Sequence, residues 1–433
     1  MMIARTLSIL FVGVWMVGAA VAQPELSLSE AIRLARENNY AIRIADNDVR
    51  MAENDYSIGN AGFLPTLSLN ANQSRRAFGN FSDDGGSFAT ASTVDLSMDL
   101  STTIFDGGGR FATYRRLGSE LELIERSAER TMESVLADVV VAYYDLVRRQ
   151  QQLEVLLDAV EVSEERHRIA ELRRDLGSAS ELEVRRARVD LNADRAELLR
   201  QEVELANAKA SFKRLLARDG DFDFTVADTI VIDRSLTLEA VRLQALQNNR
   251  TLAVATQARE TAELVKAEAR AERLPTIGLT AGYAFNDLTS ELGLPSGRPP
   301  GLNYGISASW GIFDGFNRRR RLQNADIALR NSQLVLEDAR TEVLTRLETA
   351  YQSYTNRLQH VDLERENVAL AGFNVEVALE QFRVGTITSV ELREVQSAYT
   401  SAELRYITAQ FEAAQAQTEL LLLSGTLLER LDG

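Results

Sequence analysis

Four stretches of the sequence alternate between apolar and polar side chains with a period of two. From residue 94 to 104 the apolar side chains share one face, and those on the other face are polar (Asp95, Ser97, Asp99, Ser101). This alternation is typical of a β-strand that lies between an apolar medium and water. It recurs from residue 302 to 312 and, each time just after a proline, from Thr66 and from Thr276. The pattern predicts strands at about 66–74, 94–105, 276–285 and 302–313.

A seven-residue apolar repeat follows the second strand of each pair. Its positions are Met132, Val139, Leu146, Leu153 and Val160, and later Leu322, Leu329, Leu336, Val343 and Ala350. A sustained heptad pattern indicates long helices that pack as coiled coils. The first long helix is predicted from about residue 111 to 174, with a chain reversal at Gly177 and a return helix over about 180–217. The second reverses at Gly385 and returns over about 389–423.

Shorter helices are predicted before each pair of strands, at about 27–60 and 237–273. Ser27 and Glu30 have the spacing of a capping box at the start of the first. Asp106 and Asp314 are candidate N-caps of the two long helices. Gly107 to Gly109 lack the lysine of a phosphate-binding loop, so we interpret them as a flexible turn between strand and helix.

The sequence contains two copies of this plan. Leu64-Pro65-Thr66 returns as Leu274-Pro275-Thr276, and Ile104-Phe105-Asp106-Gly107 returns as Ile312-Phe313-Asp314-Gly315. Several echoes keep the same order about 210 residues apart, which indicates an internal duplication. We predict a signal peptide at 1–22, a first repeat at 23–220, a connecting segment at 221–235, a second repeat at 236–425 and a C-terminal tail at 426–433.

The strands are the only segments that could enter a membrane. Apart from the short apolar run of the signal peptide, no segment approaches the roughly 20 apolar residues of a spanning helix. A four-stranded sheet with one apolar face cannot close on itself, and a bilayer does not tolerate open sheet edges. Other copies of the chain must therefore complete the sheet: two copies would give eight strands and three would give twelve. Helices below such a barrel would form a duct.

Composition and charge exclude several other classes of function. The net charge of −15 argues against a general nucleic-acid binder, which would normally show a basic patch. There is no cysteine, so no disulfide, acyl anchor or thiolate metal site is available. The two histidines, His167 and His360, are predicted on different helices and are interpreted as ordinary surface or interface residues. No catalytic or cofactor-binding motif is found, so we predict no enzyme activity, no cofactor and no metal.

The chain resembles the TolC family of outer-membrane export proteins over nearly all of its mature length. Three features carry the resemblance: Leu-Ser-Leu-x-Glu-Ala followed by Asn-Asn at residues 26–39, the repeated Leu-Pro-Thr, and a glycine-containing segment at residues 384–394. The resemblance implies a homotrimer with a twelve-stranded outer-membrane barrel, four strands per chain, continued by a long α-helical periplasmic barrel. It places the protein in the outer membrane of a Gram-negative bacterium, with a periplasmic adaptor and an inner-membrane transporter as partners.

The resemblance also implies roles for residues at the periplasmic tip. Glu391 and Glu394 match acidic rings that narrow the entrance, and Glu183 occupies the corresponding place after the first reversal. The alternative is that all three are ordinary solvated carboxylates. Closely spaced carboxylates at a pore should also raise the proton affinity of some of them. The predicted adaptor contacts are at the two reversals (Gly177, Ser178, Val384, Gly385, Thr386), where the glycines could equally serve only to reverse the backbone.

Phe382 and Ile387 are predicted neighbours of the gate. They stand where the family member with the best-known tip carries tyrosine and arginine, so a polar network at these two positions is not available. Apolar packing and release by a partner protein would then hold and open the tip. The predicted function is a passive exit duct of a tripartite efflux pump or type I secretion system. The alternative is a soluble periplasmic coiled-coil adaptor or scaffold, which would leave the apolar strand faces without a burial partner.

Overall fold

The computed structural model describes residues 25–80, 87–218, 223–290 and 300–432. The predicted signal peptide and parts of both inter-strand loops lie outside the described residues. The first repeat holds β1 (Glu25–Leu26), α1 (Leu28–Asn38), α2 (Tyr40–Asp55), β2 (Thr66–Asn80), β3 (Ser87–Phe105), α3 (Gly109–Asp175) and α4 (Glu181–Leu215). After β4 (Thr225–Val226), the second repeat holds α5 (Leu238–Asn248), α6 (Arg250–Ala271), β5 (Thr276–Ser290), β6 (Gly301–Ser309), α7 (Asn317–Arg383) and α8 (Ser389–Ser424), and α9 (Leu427–Asp432) follows.

The four predicted strands form a single antiparallel sheet in the order β2-β3-β5-β6. Because β3 pairs with β5, the two repeats share one sheet, with Asp99 opposite Gly282 in the register. The strands β2, β3 and β5 extend further into the inter-strand loops than predicted, whereas β6 ends at Ser309 rather than at residue 313. The strands β2 and β6 are the edges of the sheet, so within the described residues the sheet is open on both sides.

The two faces of the sheet differ in chemistry. Apolar side chains are exposed along one face (Val94, Leu96, Met98, Leu100, Tyr283, Phe285, Leu302, Tyr304, Ile306). On the other face, polar side chains form hydrogen bonds with one another: Ser97 Oγ and Asn70 Nδ2 donate to Asp99 Oδ2 at 2.7 and 3.2 Å. A sheet with one apolar face and two free edges needs lipid against that face and further strands at its edges.

The helices α3 and α7 are each 67 residues long. At a rise of about 1.5 Å per residue each reaches about 100 Å. The heptad positions Val139, Leu146, Val343 and Ala350 are buried, against the shorter helices of each repeat. None of the helices in the described ranges is both long enough and apolar enough to cross a membrane.

Two buried tyrosines, one in each long helix, fix the connecting segment against these helices. Tyr143 of α3 donates to Leu26 O at 2.8 Å and to Asp228 Oδ2 at 2.6 Å. Tyr354 of α7 donates to the backbone carbonyl of Asp233. Each tyrosine therefore ties the middle of its helix to the chain that leads from the first repeat into the second. Burial and the bond to Asp228 raise the pKa of Tyr143.

The prediction that one continuous helix precedes each pair of strands is wrong. The first breaks at Asn39, between α1 and α2, and the second breaks at Asn249, between α5 and α6. Each asparagine caps the following helix: Asn39 Oδ1 accepts from Ala41 N at 2.8 Å, and Asn249 Oδ1 accepts from Leu252 N at 3.1 Å. A side chain that satisfies the free N–H groups of a new helix start makes the break stable.

The predicted caps also differ in detail. The long helices begin at Gly109 and Asn317, so Asp106 and Asp314 lie before the N-cap position. Their carboxylates nevertheless accept from the first helical turns, at Arg110 N (2.7 Å) and Arg318 N (2.9 Å). Ser27 caps α1 through Glu30 N, but the Glu30 carboxylate pairs with Arg33 instead of closing a capping box. The predicted C-terminal tail contains α9.

Candidate functional site: the periplasmic tip

Both predicted chain reversals lie at the ends of the long helices. Gly177 and Gly385 have φ angles of +74° and +81°, which side chains other than glycine rarely adopt. At the first reversal, Ser178 N donates to Arg173 O at 2.8 Å, and at the second, Thr386 N donates to Gln381 O at 2.9 Å. The two reversals therefore have the same helix-ending geometry.

Glu391 has a bonding role that the sequence analysis did not assign. Its Oε2 accepts from Thr388 N at 2.7 Å and Thr388 Oγ1 at 2.9 Å, while Thr388 Oγ1 accepts from Glu391 N. This is a capping box at the start of α8. The bonds from Thr388 lower the pKa of Glu391, which is exposed. Within the single chain this direction is opposite to the predicted rise in proton affinity.

Phe382 is buried in an apolar cluster at the tip. The cluster joins Ala378, Phe382 and Leu392, with Ile169, Leu379, Ile387 and Val395 packed against it. The Arg173 guanidinium carbon lies 4.4 Å from the centre of the Phe382 ring, within the range of a cation–π contact. The two predicted gate neighbours therefore lie together in a cluster that includes a residue of α3.

An ion-pair network that the sequence analysis did not predict lies beside this cluster. Arg393 of α8 donates from Nη1 and Nη2 to the two oxygens of Asp194 of α4, both at 2.7 Å. Ser163 of α3 also donates to Asp194. About one turn further along the same two helices, the buried Arg166 of α3 donates to Asp190 of α4 at 2.7 Å. The bidentate pair, which we call the Arg393 clamp, connects the second repeat to the first.

A cavity of about 420 Å³ lies between the two hairpins at the tip. Glu183, Phe382, Asp190 and Arg393 are among the residues that line it. The predicted residues Glu183 and Phe382 are therefore brought together, whereas Glu391 and Glu394 are exposed outside this cavity. The reversals are open: a Cβ atom at Gly177 or Gly385 would meet no heavy atom within 4 Å.

The histidines lie next to glutamates on their own helices. His167 Nδ1 is 3.7 Å from Glu171, and His360 Nε2 is 3.6 Å from Glu364. Across residues 25–80, 87–218, 223–290 and 300–432 there is no group of three or more histidine, aspartate or glutamate side chains that could hold a metal ion.

An open amphipathic sheet continued by two helices of about 100 Å defines a class of protein, the outer-membrane channels with a helical periplasmic extension. The chain matches the family model described as "Outer membrane efflux protein" over residues 31–218 and 241–426. It belongs to this family. It is an outer-membrane efflux channel with a large periplasmic helical portion, and the predicted fold class, family and location are confirmed.

Curated relatives match most of the chain at low identity. Protein CyaE of Bordetella pertussis is 26% identical over 407 residues, which cover 92% of this chain and 83% of CyaE. Cation efflux system protein CusC of Escherichia coli K12 is 24% identical over 420 residues, which cover 94% and 82%. These two proteins are similar to the chain over both repeats.

Solved structures share the fold. The Campylobacter jejuni CmeC outer membrane channel superimposes with a TM-score of 0.77 at 17% identity, covering 92% of this chain and 86% of CmeC. The outer membrane protein VceC of Vibrio cholerae gives a TM-score of 0.73 at 16% identity, covering 92% and 96%.

Proposed function

We propose that three copies of the chain form one passive exit duct without catalytic activity of its own. The observation that carries the proposal is the open sheet: four strands with an exposed apolar face and two free edges. Three such sheets give twelve strands, a number that can enclose a channel. The helices α3 and α7 of each copy then continue the channel into the periplasm. Energy for transport comes from an inner-membrane transporter.

Conductance and subunit number test this proposal together. The mature protein, purified from the outer-membrane fraction, is crosslinked to count subunits and is then inserted into a planar bilayer. We expect a crosslinked trimer and stepwise single-channel conductance. A monomer or dimer as the largest specific species, or a trimer that never conducts, contradicts the proposal.

A periplasmic adaptor is the proposed partner at the tip. The exposed reversals offer backbone and small side chains to a helical hairpin (Gly177, Ser178, Val384, Gly385, Thr386). Crosslinking in intact cells from residues placed at these positions should capture the adaptor. Identification of the captured proteins would also name the transporter.

Glu391 and Glu394 form the proposed acidic ring, and Glu183 is the corresponding carboxylate after the first reversal. Threefold repetition of exposed carboxylates around an opening favours cations. We expect the Glu391→Gln, Glu394→Gln double variant to lower the cation-to-anion permeability ratio by about twofold or more. Glutamine at residue 391 can still serve a capping box, so the start of α8 is retained. The measurement is the reversal potential across a salt gradient.

The matched control for this prediction changes two exposed carboxylates outside the tip, Glu53→Gln in α2 and Glu202→Gln in α4. Neither makes an ion pair within the described ranges. The control removes the same charge from each chain and should keep the permeability ratio of the unchanged protein. If both double variants give the same ratio, the acidic ring is not at Glu391 and Glu394.

The Arg393 clamp and the Phe382 cluster together form the proposed closure of the tip. Asp194→Asn removes the charge that partners Arg393, a part-buried guanidinium that would then lack its counter-ion. We expect the closed-state conductance of this variant to rise about twofold or more. Asp338→Asn, at an exposed position of α7, is the control with the same chemical change. An unchanged conductance in Asp194→Asn would show that the clamp does not contribute to closure.

A further inference from the structure

Four consecutive arginines, residues 318–321, lie at the start of α7, which follows the barrel strand β6 after the connection at residues 310–316. Two of them are used within the chain. Arg318 donates to Gly311 O and lies beside Asp314, and Arg321 pairs with Glu272 at 2.7 Å. Arg319 and Arg320 are exposed, and neither makes an ion pair or a side-chain hydrogen bond with any other residue that the structure describes.

This first turn is an unfavourable place for cations. The N-terminus of a helix carries a partial positive charge and free N–H groups, which favour anions. The first turn of α7 contains no acidic residue, and its N-cap, Phe316, provides no side-chain hydrogen bond. The carboxylate of Asp314 bonds to this turn: it accepts from Arg318 N at 2.9 Å and lies beside the side chains of Arg318 and Arg321 rather than pairing with Arg319 or Arg320. Two unpaired guanidinium groups beside these N–H groups therefore form a locally positive surface that an external anion would stabilise.

The apolar residues just before α7 place this surface relative to the bilayer. Trp310, Ile312, Phe313 and Phe316 are all exposed in the chain, and they lie between the end of β6 and the start of α7. Aromatic side chains at a strand end are typical of the membrane interface. Arg319 and Arg320 lie only about 5 Å further along the helix axis than Phe316, at a rise of about 1.5 Å per residue. The headgroup layer of a bilayer is about this thick.

We propose that Arg319 and Arg320 bind the headgroups of anionic phospholipids in the periplasmic leaflet of the outer membrane. The side is fixed because the long helices extend into the periplasm from this end of the barrel. The planar guanidinium group can donate two parallel bonds to a phosphate, and its methylene stem can lie along apolar surface. A zwitterionic lipid has a compensating amine in its headgroup, so a lipid with net negative charge is preferred. The inference rests on the strands lying in the bilayer as proposed above.

The experiment measures lipid retention by the purified full-length protein. The protein in detergent is mixed with equal amounts of phosphatidylglycerol and phosphatidylcholine, and native mass spectrometry counts the lipids that remain bound. We expect an excess of phosphatidylglycerol of about threefold or more for the unchanged protein. The Arg319→Gln, Arg320→Gln variant should lose this excess, and Arg319→Lys, Arg320→Lys should keep part of it because the charge remains.

The matched control is Arg188→Gln with Arg340→Gln, which removes two exposed arginines from α4 and from further along α7. It should keep the excess of phosphatidylglycerol. An equal excess in the Arg319/Arg320 variant, or an equal loss in the control, overturns the proposal. The proposal is also overturned if the Arg319→Gln, Arg320→Gln variant dissociates into monomers in detergent but still prefers phosphatidylglycerol. That result would mean that the arginines pair with a neighbouring subunit and not with lipid. Conductance of the same samples separates the cases: conducting channels without a lipid preference refute only this inference.

Discussion

Asn249→Ala is expected to lower the free energy of unfolding by about 2–4 kcal/mol. The buried side-chain amide of Asn249 makes two hydrogen bonds, one through each of its polar atoms. Its Oδ1 caps α6 through Leu252 N, and its Nδ2 donates to Leu423 O at 2.8 Å, near the end of α8. Alanine removes the cap and leaves a buried carbonyl oxygen without its donor. The thermal unfolding midpoint of the detergent-solubilised protein, followed by circular dichroism, gives the measurement.

Two further variants make this prediction specific. Asn248→Ala is the control, because the Asn248 side chain is half-exposed and makes no hydrogen bond with the described part of the chain. Its midpoint should stay near that of the unchanged protein. Asn39→Ala should behave like Asn249→Ala, since Asn39 Nδ2 donates to Leu215 O at 2.7 Å at the end of α4. If Asn249→Ala unfolds at the same temperature as Asn248→Ala, the helix break does not depend on this amide.

These two asparagines also show where sequence reasoning stops for the fold. The strands and long helices could be predicted because each has a period that persists over many residues. The helix breaks could not, because the apolar pattern continues across residues 39 and 249. The sequence does show an Asn-Asn pair at the same place in both repeats, at residues 38–39 and 248–249. What the pattern lacked was the distant partner: each amide bonds to a carbonyl more than 170 positions away along the chain.

At the tip, too, the features set by local sequence could be predicted, and those that depend on distant residues could not. Glycine at residues 177 and 385 predicted the reversals, since a left-handed backbone conformation is a local requirement. The capping role of Glu391 could also have been found, because Thr388-x-x-Glu391 is a local motif. The Arg393 clamp could not, since Asp194 lies 199 positions away and no periodicity connects the two residues. The roles of Glu183, Glu391 and Glu394 in a ring stay predictions, because they depend on other copies of the chain.

Gly107→Ala is expected to destabilise the protein by about 2–5 kcal/mol. The φ angle of Gly107 is +71°, which costs any side chain free energy. A Cβ atom there would also lie 2.5 Å from Leu274 Cβ and 2.8 Å from Ala271 O, both closer than atoms can approach. Ala271 is the last residue of α6, and Leu274 lies in the turn before β5. The strand-to-helix turn of the first repeat is therefore packed at Gly107 against the helix-to-strand turn of the second.

Gly108→Ala separates the two causes. Gly108 has nearly the same backbone conformation, with φ at +85°, but a Cβ atom there would meet no heavy atom within 4 Å. This variant should lose only the backbone contribution, about 1–2 kcal/mol. The difference between the two unfolding midpoints then measures the close contact between the repeats beneath the barrel. Equal unfolding midpoints for Gly107→Ala and Gly108→Ala would mean that the neighbours of Gly107 move aside at no cost in free energy. The contact at Gly107 would then not contribute to the packing between the two repeats.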